Sequence, residues 1–301
     1  MIHTVTVTNY LGDSLKMDLM KPEESGFIIT EIKGLGSGKA NINTTEVSTN
    51  DGSIFNSSRK DSRNIVLSLR YFFNDPIEDI RQLSYKYFPL GKPLTLLIET
   101  DNRTAEIQGY VESNEPNIFS KIEGSDISII CPNPYFYSDG KNVTVFHGIE
   151  PMFEFPFCND SLTLPLLEMG IIQNQTERVI VYHGESEIGI TITIHAVGEA
   201  SHISVYNIGT REVMRIDTDK IEKYTGSGIV TGDDIIISTL RGNKYIHLQR
   251  DGKIINILNC LDKNADWFQL AKGDNIFSYI AETGSSNLQF TIVNQVIYEG
   301  V

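Results

Sequence analysis

The chain has 301 residues, with 25 Lys and Arg against 39 Asp and Glu, and so a formal net charge of −14. Its 40% hydrophobic and 21% charged residues describe a folded chain long enough for two domains rather than a disordered acidic one. The acidity argues against a broad basic face that holds nucleic-acid phosphates by counterion release, and with no run near the roughly 20 apolar residues of a membrane span no membrane partner is expected.

The opening Met1-Ile2-His3-Thr4-Val5-Thr6-Val7 lacks the basic and apolar regions of a signal peptide, so the chain is expected to stay in the compartment where it is made. Thr4 to Thr8 alternates polar and apolar residues, the period of a strand with one buried face. Phe27 to Ile32 fits the same template. The glycine-rich Gly34-Leu35-Gly36-Ser37-Gly38-Lys39-Ala40 invites comparison with a phosphate-binding loop. Lys33 stands where that loop needs its first Gly and Ala40 where it needs a hydroxyl, so a connection between strands is expected instead.

Ile65 to Arg70 is again a strand pattern. From Asn74 to Pro89 the apolar Ile77, Ile80, Leu83 and Tyr87 recur every three or four residues, predicting a helix of about 12 residues. Asp75 is placed to cap it, Pro76 to open it, Glu78 to complete a capping box, and Pro89 with Gly91 to stop it. Strands are predicted at Leu94 to Ile98, Ile107 to Val111 and Ile127 to Cys131. The run Cys131-Pro132-Asn133-Pro134-Tyr135-Phe136-Tyr137, echoed at Pro151 to Pro156, is too proline-rich for a central strand. Pro132, Pro134, Tyr135 and Phe136 are therefore read as a domain junction, with domains over 1–140 and 141–301.

The second half reads as strands without a convincing helix. Ile190, Ile192 and Ile194 alternate with Thr191, Thr193 and His195, and further strands are expected at Asp234 to Thr239, Tyr245 to Gln249, Ile254 to Leu258 and Leu288 to Val293. Arg241-Gly242-Asn243 and Asp251-Gly252 are hairpin signals. The fold class is mainly β: a sandwich- or tube-like first domain carrying one short helix, and a β-sandwich second domain.

No constellation points to catalysis. The six His residues show no helical i, i+4 pair and no Asp or Glu at ligand spacing. Cys131, Cys158 and Cys260 are odd in number, never in a C-x-x-C pair, and read as free thiols. Asp217-Thr218-Asp219 resembles the start of a calcium loop but lacks its Gly and closing Glu, so a turn is expected. Trp267 and Phe268 fall on opposite faces of an extended segment; Trp267 is read first as core, and as the candidate exposed aromatic if the sandwich bound sugar. Catalytic, cofactor-binding and metal residues are all expected to be absent.

The order of several runs carries more information than any one of them. Ile32-Lys33-Gly34-Leu35-Gly36, Asp51-Gly52-Ser53, Arg63 to Leu67, the helix at 76–88, Gly109-Tyr110-Val111-Glu112 and Ile127 to Phe136 follow one another in the first half. Ile203 to Ile208, Asp233 to Ile237 leading into Arg241-Gly242, Asp251-Gly252, Trp267 to Leu270 with Gly273-Asp274-Asn275, and Tyr298-Glu299-Gly300-Val301 follow in the second. This order resembles the distal tail protein family of siphophages that infect Gram-positive bacteria.

The resemblance implies a structural protein, not an enzyme, made in the bacterial host cytoplasm and placed at the tail tip of the virion. It implies a homohexameric ring whose N-terminal domain continues the tail tube and whose galectin-like C-terminal domain holds other baseplate proteins. The partners implied are the tail tube protein, a tail-associated lysin or tip protein and a receptor-binding protein, with DNA passing through the lumen unbound and no cofactor. A hairpin from the Gly34 to Asn64 region is implied to clasp the neighbouring subunit, with Leu35, Ile54 and Phe55 as its apolar contacts. Part of the acidity is expected on the ring lumen, where it would repel DNA phosphates. The alternative is a carbohydrate-binding or receptor-binding β-sandwich module of a tail or cell-surface protein.

Overall fold

The period-two runs of the first half become strands of one antiparallel sheet. In the computed structural model, which describes residues 1–46, 48, 51–72, 76–119, 122–151 and 170–301, they lie in the order Ser14–Asp18, Ile2–Asn9, Pro93–Thr100, Thr104–Pro116, Gly124–Cys131, Arg63–Tyr71 and Phe27–Lys33. Alternation decides the faces: Val5, Val7, Leu94, Leu96, Ile98, Ile107, Ile127, Ile129, Ile65 and Leu67 are buried in one core. The edge strands Ser14–Asp18 and Phe27–Lys33 touch each other, bridged by the four-residue helix Pro22–Ser25, so the sheet curls toward closure.

The expected helix runs over Ile77–Tyr87 and buries Ile80 and Ser84 against the strands Ile2–Asn9 and Arg63–Tyr71. Its start differs from the expected cap. Pro76, expected at the first helical position, itself occupies the N-cap position and offers no side-chain acceptor; Asp75, expected as the cap, lies outside the described residues.

The chain forms two units, Met1–Gly140 together with Ile297–Val301, and Lys141–Val296. The last five residues, expected in the second domain, thus belong to the first. Ile297 is 4% exposed there, and Phe136 and Tyr137 pair with Tyr298 and Ile297 in an added ladder. The Pro-rich run before residue 140 is part of the same packing, because Phe136 is fully buried in the first unit's core. Residues 152–156 of its echo, and Cys158, lie outside the described residues.

The second unit is a sandwich. Its six-stranded sheet orders Asn142–Val145, Leu288–Asn294, Thr191–Ala196, Asp234–Leu240, Asn243–Arg250 and Lys253–Asn256; its four-stranded sheet orders Glu177–Tyr182, Gly273–Thr283, Ser201–Asn207 and Glu212–Ile216. The inner faces meet through aromatic rings. Tyr279 stacks on Phe290 with centroids 3.8 Å apart, and Phe146 meets both edge-on. At the Asp251-Gly252 turn both residues have positive φ (49° and 72°), as a primed turn requires, whereas at Arg241-Gly242 only Gly242 does.

One helix was not expected. Thr218–Thr225 is helical because Asp217 caps it, its carboxylate accepting from the backbone N–H of Asp219 and of Lys220, and Gly226 closes it with φ of 82°. The Asp217-Thr218-Asp219 run is therefore a helix start rather than a free turn.

Candidate functional site

The first unit carries a hairpin that pairs with nothing else in the sheet. Ala40–Glu46 and Ser53–Lys60 form a separate two-stranded sheet, and every residue of it except Lys60 is exposed. Two strands alone are marginal in water, so such an arm calls for a partner. Its large apolar residues among those described are Ile42, Ile54 and Phe55, each about 60% exposed. Ile42 was missed in the sequence because it sits in a run of Asn and Thr.

A bulge decides what the arm presents. The register shifts between Asn43, opposite Ser57, and Thr44, opposite Phe55, leaving Asn56 as the extra residue; its side-chain amide donates to Thr45 Oγ1 at 2.6 Å. Phe55 therefore falls on the face of Ile42 and Thr44, while Ile54 lies on the other with Thr45. Leu35, expected as a contact, is only 7% exposed and belongs to the core. The reason lies in the root of the arm.

That root is organised by Arg63, three residues past the arm and 6% exposed. Its guanidinium donates to four backbone carbonyls, those of Pro134 (2.8 Å), Gly34 (2.6 Å), Gly36 (2.5 Å) and Glu299 (2.7 Å). Gly34 is required where it stands, with φ of 87° and an added Cβ only 2.1 Å from the Asn64 carbonyl. The glycine-rich run thus serves an arginine and not a phosphate. Burial lowers the Arg63 pKa, opposed by Cys131 and Glu299, and the planar fork stays charged. Beside it, burial pushes the Cys131 thiol up to about 11, with Arg63 pulling the other way. Cys131 and Cys260 are both free and buried.

The junction residues join the same node. Arg63 lies over the Phe136 ring at 4.7 Å, and Lys60 over the Tyr135 ring at 4.8 Å. Pro132 sits exposed between them and the strand end at Cys131.

The solvent face of the large sheet is acidic. Register places Asp18, Glu99, Glu106, Glu115, Asp126 and Glu31 on it, against Lys16, Lys33 and Arg70, and Glu112, unpaired at a register shift, accepts there from Ser128 Oγ. Lys16 approaches Glu99 at 3.8 Å and Lys33 approaches Glu31 at 3.3 Å, so the central carboxylates keep their field.

In the second unit, the outer face of the four-stranded sheet exposes the apolar side chains of Val179, Val181 and Ile280, each more than 50%, with Asp274 opposite Val181 and the Glu177–Ser278 pair between Val179 and Ile280. Next to Ile280 a cleft of about 730 Å³ is lined by His202, Tyr206, Arg215, Asp217, Lys220 and Glu282 among others. His202, Asp217 and Asp219 bring ligand atoms within 4.8 Å of one another. The strand pairing makes this group, so no local spacing announced it. Asp217 is already engaged, through Oδ1 as helix cap and through Oδ2 with Lys220 Nζ at 3.2 Å. Likewise His195, on the Thr face of its strand as read from the sequence, meets Asp234 Oδ1 at 2.7 Å.

Phe268, not Trp267, takes the core place, edge-on to Phe277 at 5.5 Å. Trp267 is half-buried, with the Lys244 ammonium over its ring at 5.2 Å.

No family model matches the chain, and no curated protein does. Solved structures do. The crystal structure of the Dit (gp 19.1) protein of SPP1, described as a paradigm of the hub adsorption apparatus in phages infecting Gram-positive bacteria, aligns with a TM-score of 0.64 at 12% identity, over 97% of this chain and 98% of that one. Two structures of the phage p2 baseplate in its activated conformation, with Sr and with Ca, align at a TM-score of 0.49 and 12% identity over 97% and 98% of this chain. Across nearly its whole length, then, this mainly β chain has the fold of the SPP1 Dit protein.

Proposed function

We propose that the protein is a structural component of a phage tail tip, a distal tail protein that forms a hexameric ring between the tail tube and the host-recognition proteins. The observation that carries this reading is the likeness to SPP1 Dit over both units, together with an arm on the first unit that is exposed among the described residues. In this reading Phe55 and Ile42, brought to one face by the bulge, seat on the neighbouring copy, a heterologous contact that closes into a ring. The acidic face of the large sheet lines the lumen and repels DNA phosphates, so that DNA passes without being held. The Val179, Val181 and Ile280 face of the second unit holds a receptor-binding or other baseplate protein. Binding rather than catalysis is the function in this account, and the protein resides in the virion.

The test of ring formation is the mass of the full chain in solution, compared between wild type and Phe55→Asp. A six-fold multiple that the substitution abolishes supports the ring. Identical monomers for both refute the arm as its clasp. A reconstruction of the tail tip with a neutral or basic channel wall refutes the lumen assignment.

A further inference from the structure

We infer that residues Ile297–Val301 are a strap that sets the direction of the arm, with Arg63 and Glu299 as its positioning residues. This rests on the reading of the arm as a clasp.

Among the described residues the arm's strands pair only with each other, and Lys60 at the end of the second makes the arm's contacts with Glu299 and Tyr135, so its direction is decided at its two roots, the Gly34 to Lys39 loop and the Lys60 to Arg63 turn. The first root contains Gly34, Gly36 and Gly38 and would otherwise be a loose tether. The strap touches both. On the first root, Val301 N–H donates to the Leu35 carbonyl at 3.0 Å, and the approach at Gly300 is close enough that an added Cβ would lie 3.0 Å from that same oxygen. On the second, Lys60 Nζ meets Glu299 Oε1 at 2.5 Å, with side chains 25% and 31% exposed. Arg63 then ties the roots together, holding the carbonyls of Gly34, Gly36 and Glu299 at once.

The strap is itself anchored away from the arm. Tyr298 and Ile297 pair with Phe136 and Tyr137, and Arg103 donates to the Gly300 carbonyl at 3.2 Å while lying over the Tyr298 ring at 4.6 Å. These five residues follow Lys141–Val296, the second unit, in sequence and return to the first unit. Fixing the roots before assembly spares the ordering cost at the moment of contact, which is how pre-organisation raises affinity.

The test uses the full chain and the variants Lys60→Glu, Glu299→Lys and the double exchange. Backbone hydrogen exchange is followed over residues 40–46 and 53–60, alongside thermal unfolding and self-association. Each single reversal is expected to speed exchange in the arm about five-fold, the scale of one partly exposed ion pair, and to weaken self-association, with the unfolding temperature unchanged. The double exchange is expected to restore at least half of both effects. Arm exchange unchanged in either single variant, or a double variant equal to the sum of the singles, overturns the strap. If wild type stays monomeric while arm exchange follows this pattern, the strap stands and the clasp reading falls.

Discussion

The guanidinium of Arg63 lies 4.7 Å from the centroid of the Phe136 ring while its nitrogens hold carbonyls from three separate stretches of chain. A single side chain thereby joins the glycine-rich loop, the Pro-rich run and the C-terminal tail. Cutting it back to Ala removes the charged donor that these partly buried carbonyls share. Arg63→Ala is expected to cost about 3 kcal/mol or more in urea unfolding of the full chain. Arg63→Lys recovers only a minor part, since an ammonium cannot present a planar fork.

The second unit holds a comparable pin. Arg250 makes paired contacts to Asp233, Nε to Oδ1 at 2.7 Å and Nη2 to Oδ2 at 2.5 Å, with side chains 14% and 1% exposed. It also donates to Ser227 Oγ and the Gly228 carbonyl. Asp233→Ala leaves a nearly buried cation without its counter-charge and is expected to destabilise by about 3–5 kcal/mol in the same measurement.

For the helix Thr218–Thr225, Asp217→Ala removes the acceptor for two backbone N–H groups. The expected loss is about 1 kcal/mol, while Asp217→Asn, which keeps an acceptor oxygen, loses less. Thermal unfolding of the two variants side by side checks it.

Cys131 gives a pH dependence with a definite sign. Its pKa is raised by burial from 9.0 to about 11, so the folded state favours the neutral thiol. The stabilisation is complete below the unfolded value near 9 and is lost as pH rises through 11, where unfolding releases the proton more readily than folding allows. Stability of wild type measured from pH 8 to 11 is expected to fall more steeply than that of Cys131→Ala. Thiol labelling of Cys131 in the native state at pH 8 is expected to be slow until the chain unfolds.

Much of the sheet architecture was legible because one buried face imposes strict alternation, as in Arg63–Tyr71, where Ile65, Leu67 and Leu69 point to the core. The arm was legible only as a polar, turn-rich stretch. That Phe55 shares a face with Ile42 depends on one bulged residue, Asn56, which period-two counting cannot anticipate. Leu35, expected as a contact, lies within the first unit's own core, where its carbonyl accepts from the N–H of Val301, a partner too remote in sequence to leave a local signal. The helix at Thr218–Thr225 buries only Thr218 and Ile221, too few positions to set a period. The return of Ile297–Val301 to the first unit is a long-range pairing with no local signal at all.

The Phe55 and Ile42 face makes a sharper prediction than the arm as a whole. Ile42→Asp and Phe55→Asp are expected to weaken self-association at least ten-fold with unchanged unfolding temperature, because both side chains are already in water. Ile54→Asp, on the opposite face, is expected to have the smaller effect. Sedimentation over a concentration series separates them.

The most direct test of the central claim is the native mass of the full chain across that series. The account predicts a species about six times the 33.7 kDa chain that Phe55→Asp dissociates without unfolding. A wild-type chain that remains a monomer at the highest concentration reached, indistinguishable from Phe55→Asp, would contradict it.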